Sequence, residues 1–173
     1  MRKYIFFRLL GLVMVVPASL YSQKTAVQGE YPKIVEYTSF FLPVVSTNSK
    51  TTTWNFSNSF TIGFATGINV LYSDTYGFSF DVSPVITAAN GNSKVTNFIF
   101  DPGPIFRFKK GFSLITRIAF ETAGRYGEST VFSKVFYSGQ TTSFFTAVGI
   151  PIRFGNNLPP SIGATLFFGL AFK

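Results

Sequence analysis

Between Asn55 and Tyr72 the chain repeats every two residues. The even positions are Phe56, Asn58, Phe60, Ile62, Phe64, Thr66, Ile68, Val70 and Tyr72, seven of nine large and apolar. The odd positions between them are small or polar, apart from Leu71. A helix would scatter both sets around its circumference, whereas a strand puts them on opposite faces. The same period returns in four more segments. Tyr76, Phe78, Phe80, Val82 and Ile86 alternate with Gly77, Ser79, Asp81 and Ser83. Phe112, Leu114, Ile118 and Phe120 alternate with Ser113, Arg117, Ala119 and Glu121. Phe144, Val148, Ile150, Ile152 and Phe154 alternate with Ala147, Gly149 and Arg153. The last segment, Ile162 to Lys173, keeps the rule with Phe167 as its exception.

Turn-forming residues separate these runs and give eight predicted strands, at about 33–46, 54–72, 76–88, 95–108, 112–123, 130–138, 143–154 and 161–173. The connections at 73–75, 109–111 and 139–142 are short. Those at 47–53, 89–94, 124–129 and 155–160 read as longer, the asymmetry of an up-and-down membrane barrel. Strand one contains Pro43 and alternates poorly. Strand four carries Pro102 and Pro104, which cannot donate to a ladder, so it is expected to bulge there. Strand six has two similar faces.

The first 22 residues read differently. Arg2, Lys3 and Arg8 form a positive start, Leu9 to Val16 an apolar stretch, and Pro17, Ala18, Ser19 and Ser22 a small-residue exit, the pattern of a cleaved signal peptide. Cleavage after Ser22 leaves a short periplasmic segment at 23–32 and a barrel at 33–173. The formal charge falls from +8 to +5, because three basic residues leave with the segment. No later stretch has the roughly 20 apolar residues that a spanning helix needs.

Orientation follows from volume. The large face carries most of the 23 Phe and 8 Tyr, and the interior of an eight-stranded barrel is only just filled by ordinary side chains. The other face has few charges and would make a poor aqueous exterior. Pointing the large face at lipid resolves both problems, and closure satisfies every backbone group. The expected fold is therefore all-β, an eight-stranded antiparallel up-and-down transmembrane β-barrel. Trp54, Tyr72, Tyr76, Phe108, Phe112 and Phe172 fall at strand ends, where an interfacial aromatic girdle belongs.

On the residues Phe78-Ser79-Phe80-Asp81-Val82-Ser83-Pro84, Gly103-Pro104-Ile105-Phe106-Arg107-Phe108, the turn Lys109-Lys110-Gly111 and Phe112-Ser113-Leu114, the chain resembles the small outer-membrane β-barrel proteins of Gram-negative bacteria, in the OmpX and OmpA-barrel size class. More narrowly it is similar to the outer-membrane β-barrel domain family of Bacteroidota. Phe172 stands close to the place of that family's terminal aromatic, with Lys173 after it. The resemblance implies an outer-membrane location, contact with lipid and lipopolysaccharide, and folding by barrel-assembly machinery. It is nearly silent on activity, since such folds host many roles.

The inward face is expected to carry Asp81, Asp101, Arg107, Arg117, Glu121 and Arg153, three acids and three bases. In a narrow lumen these must pair or be hydrated. A self-neutralising plug accounts for them better than an ion path. Lys50, Lys94 and Arg125, near the longer loops, are candidate lipopolysaccharide contacts, though solvated loop charges explain them better. Nucleic acid is not expected as a partner, because the basic residues are dispersed. With no His and no Cys, triad chemistry, thiol chemistry and most zinc sites are excluded. No phosphate loop or metal spacing appears, so neither a cofactor nor a catalytic residue is expected. Three roles remain: a non-enzymatic structural or interaction role, as in a subunit of a surface or secretion assembly; a passive conduit for small or hydrophobic molecules; and, last, a lipid-modifying enzyme.

Overall fold

The computed structural model describes residues 31–172. The expected signal peptide at 1–22, residues 23–30 and Lys173 lie outside the described residues. The strands are β1 (Lys33–Asn48), β2 (Thr52–Trp54), β3 (Phe60–Leu71), β4 (Tyr76–Ala89), β5 (Asn92–Arg107), β6 (Phe112–Glu121), β7 (Arg125–Ser138), β8 (Thr142–Gly155) and β9 (Ser161–Phe172). β2 aside, the strands pair antiparallel in sequence order, and β9 returns to β1. Eight long strands thus close a barrel. The three-residue β2 pairs with the far end of β1, beyond the reach of β3.

The register fixes the barrel's shape. From Tyr37, partners run through Gly67, Asp81 and Asp101. The path crosses to Ala119 in the register set by Phe100 and Phe120. It continues through Gly127, Arg153 and Ser161 and returns to β1 at Asn48. Asn48 lies eleven residues beyond Tyr37, and one of the eleven is the bulged Val44, so the shear is ten. With about 4.8 Å between strands and about 3.3 Å per residue, eight strands at that shear tilt by about 40° around a cylinder of about 8 Å radius. Outward positions on β9 run from Ile162 to Phe172. That distance is about 33 Å along the strand and about 25 Å along the axis, the height of a membrane barrel's apolar band.

Several expectations are corrected. The second strand begins at Phe60 and not at 54, because Asn55 folds back: its side chain bonds both the amide and the carbonyl of Thr61. The 89–94 loop collapses to Asn90-Gly91, both at positive φ, a two-residue hairpin turn. The 124–129 loop shrinks because β7 starts at Arg125. The expected contrast of short turns and longer loops is consequently weak.

The prolines do not bulge the fourth long strand. The β5–β6 ladder skips from Phe100–Phe120 to Ile105–Ile115 with its register unchanged. The missing N–H groups of Pro102 and Pro104 interrupt the bonding and leave the alignment intact. Ladders skip in the same way beside Pro84 and Pro151. The bulge on β5 lies instead at Thr96, whose hydroxyl bonds the Val85 carbonyl. Phe136 is the extra residue on β7. It moves from one face to the other the alternation that Phe132 and Lys134 had set, which is why that strand reads as two-faced.

Candidate functional site

The large face points outward: Phe64, Ile68, Phe78, Phe100, Phe120, Val148 and Phe168 are all exposed. The inward face meets across the bore, and its charges fall into two groups.

The first spans the middle. Arg117 on β6 pairs with Asp81 on β4 at 2.8 Å, both almost fully buried. Its other terminal nitrogen donates to the Tyr37 hydroxyl and to Ser79 Oγ, each at 2.7 Å. Tyr37 in turn donates to Asp81 at 2.7 Å, and Ser83 donates to the other carboxylate oxygen at 3.1 Å. Three strands contribute to one closed ring of hydrogen bonds, since Tyr37 comes from β1, Ser79 through Ser83 from β4 and Arg117 from β6. Asp101 of β5 faces Asp81 directly. The second group lies nearer the end that carries β2. Arg153 pairs with Glu121 at 2.5 Å and donates to the Glu128 carbonyl and to Ser129. Asn97 supplies the second donor to Glu121.

The six expected lumen charges are therefore not one network. Asp81 with Arg117 and Glu121 with Arg153 are separate pairs. Asp101 has no ion-pair partner among the described residues, and one of its buried oxygens has no hydrogen bond. Its partner across the ladder is another acid, Asp81. Arg107 stands at the opposite end, away from both pairs.

Of the proposed lipopolysaccharide contacts, Lys50 is an exposed turn residue and Lys94 an exposed strand residue. Arg125 is neither. It opens β7 on the inward face, and its guanidinium donates to the carbonyls of Arg153 and Pro159. The girdle aromatics Trp54, Tyr72, Tyr76, Phe108, Phe112 and Phe172 are all exposed. Tyr72 stacks on Tyr76 at 6.1 Å. Lys134, outward on β7, lies 4.2 Å over the Phe112 ring and bonds the Lys110 carbonyl. The lysine thereby carries its charge to the barrel rim and leaves its stem on the apolar face.

The main surprise is that the lumen holds aromatics. Tyr37, Phe41, Phe145 and Phe167 point inward. The ring of Phe41 occupies the space over Gly63, Phe167 that over Gly149, and Phe145 that over Gly169; a side chain at any of these glycines would strike the ring. Phe41 and Phe167 meet at 5.4 Å. Phe167 packs against two apolar clusters, one of Leu71, Ile105, Ile115, Val131 and Ala147, the other of Phe41, Ala65 and Val85. The signal was the break in alternation at Phe167, together with glycines on the neighbouring strands.

Among the described residues, two cavities flank the central ring inside the barrel. One of about 150 Å³ runs from the central ring towards Arg107. The other, of about 230 Å³, runs from the same ring towards Glu121, Arg125 and Arg153. Both are bounded by Asp81, Arg117, Val131 and Phe167, which form a septum. Among the described residues no group of three or more acidic side chains could hold a metal.

An inward septum inside a closed barrel with an apolar exterior defines the class: an eight-stranded transmembrane β-barrel. A de novo designed transmembrane β-barrel shares this fold with a TM-score of 0.53, covering 84% of this chain and 98% of the design at 8% identity. A second designed barrel, solved by solution NMR, aligns at 0.48 with 10% identity over 84% of this chain and 98% of its own. The outer-membrane protein OprG from Pseudomonas aeruginosa aligns at 0.37 with 8% identity, over 80% and 93% of the two chains. No protein-family model matches the chain. No curated protein matches it either.

Proposed function

We propose that this chain is an outer-membrane β-barrel protein with a shut lumen and a non-enzymatic role, structural or interactive, in the manner of a subunit of a surface or secretion assembly. The observation that carries this is the septum. Arg117 and Asp81 pair there, both buried, and the packed rings of Phe41 and Phe167 lie in the same lumen, an arrangement that supports a blocked bore. A barrel that neither conducts nor presents reactive groups acts through its outer surface and its loops. The partners would be outer-membrane lipid, lipopolysaccharide, the barrel-assembly machinery and neighbouring membrane proteins. The signal-like segment 1–22 and the lipid-suited exterior support that location, and the resemblance to the Bacteroidota barrel family supports the bacterial setting.

The test is conductance in planar bilayers, alongside membrane fractionation with a heat-shift gel. The purified barrel is expected to give no large, stable channels, to fractionate with the outer membrane and to migrate faster unheated. Large wild-type channels would favour the conduit reading, and a soluble periplasmic protein would end the barrel assignment.

A further inference from the structure

The cavity between the septum and Arg107 has a character of its own. Its walls are chiefly apolar, with Leu71, Ile105, Ile115, Val131 and Phe145 among them. Its volume of about 150 Å³ is that of an apolar cavity able to admit a benzene-sized molecule. Tyr37, Asp81, Arg117 and four serines also line it, and two further polar side chains there lack partners among the described residues. Asn69 projects a buried amide oxygen with no hydrogen-bond partner. Arg107, the last residue of β5, lines the outer end, and among the described residues its guanidinium has neither an ion pair nor a hydrogen bond. The contrast with the other arginines of the lumen is sharp. Arg117, Arg125 and Arg153 each hold two or more protein oxygens.

An unpaired guanidinium at the mouth of an apolar chamber is suited to an anionic head on an apolar body. Its planar fork matches a carboxylate in two parallel hydrogen bonds. A phosphate or sulfate alone would leave the apolar walls unused, and a neutral hydrocarbon would leave Arg107 unused. The first aromatic outside β1, Tyr31, packs against the same apolar cluster and hydrogen-bonds Asp74 in the turn after β3, so the mouth is a built rim. We propose that this chamber is a binding site for a small monocarboxylate with an apolar body of about six carbons, Arg107 taking the carboxylate. The site does not depend on whether the lumen conducts, so its failure and that of the shut-lumen reading are separable.

The experiment uses the folded full barrel in detergent micelles and 4-fluorobenzoate as the probe, followed by fluorine NMR, with fluorobenzene as the neutral control and empty micelles as background. Wild-type protein is expected to bind 4-fluorobenzoate saturably at one site. Arg107→Met should weaken that binding about tenfold and leave fluorobenzene unaffected. Ala147→Leu, which narrows the chamber, should weaken both. Because Arg107 makes no hydrogen bond or ion pair among the described residues, its variant should keep the wild-type heat-shift mobility. Absence of saturable binding above the micelle background would overturn the proposal. So would 4-fluorobenzoate binding that is equal in wild type and Arg107→Met, including the case where only Ala147→Leu weakens it, which would make the chamber a site for neutral molecules.

Discussion

Replacing Arg117 by Met probes the septum most directly. The change removes the ion pair to Asp81 and the hydrogen bonds to Tyr37 and Ser79. It leaves a buried carboxylate that still receives Tyr37 and Ser83. Breaking a buried pair from one side costs about 3–5 kcal/mol. The two remaining donors put this case at the lower end, about 3 kcal/mol, or a little over a hundredfold in the folding equilibrium. Asp81→Asn should cost a similar amount, because it leaves the guanidinium facing a neutral amide. In the double variant neither charge is stranded, so its loss should be no larger than either single loss rather than their sum, a coupling of at least about 3 kcal/mol. Equilibrium unfolding in lipid vesicles reads this out, and the single tryptophan, Trp54, serves as the fluorescent reporter. Additive losses across the two single variants and the double would refute the argument, since they would mean that the two groups do not sense each other.

Two further outcomes follow from local geometry. A Cβ at position 63 would overlap the Phe41 ring, so Gly63→Ala should destabilise the barrel by about 1–3 kcal/mol, and Phe41→Leu in the same chain should recover most of it in the same unfolding assay. Gly91 has a φ of +76° and open space where a Cβ would stand, so Gly91→Ala should lose only the left-handed strain, about 1 kcal/mol; a larger loss would place an unrecognised contact at that turn.

The exterior was legible because lipid imposes one rule on every outward position. Phe60 to Tyr72 and Tyr76 to Ile86 announced their faces through alternation alone. The interior obeys no single rule. Asp81, Arg117, Glu121 and Arg153 were placed on the inward face by parity, yet which acid meets which base depends on how ten residues of shear align strands distant in sequence. Asp81 reaches β6, and Asp101, one strand nearer to it, is left out. Parity also failed wherever a bulge changed it, at Val44, Thr96 and Phe136. The inward aromatics were hidden for a related reason. Phe41 and Phe145 lie in stretches where both faces look apolar, and only the glycines beside them mark the space they fill. Turns are hard to read where polar residues suggest loops: Asn90-Gly91 is a hairpin signal, and its flanks are strand.

The order of the strands has a kinetic consequence. Seven of the eight barrel contacts join strands that follow one another in the chain, β2 aside, while β1 and β9 meet from its two ends. A hairpin closes a loop of a few residues, whereas the last seam closes one of more than a hundred. By the logarithmic law of loop closure that difference amounts to about 3 kcal/mol of chain entropy, concentrated in a single event. Until it happens, a curled sheet carries two bare edges at barrel height, each with unpaired backbone groups that lipid cannot satisfy. Assembly of this chain is therefore a problem of one seam, and whatever shelters the edges of β1 and β9 sets its pace.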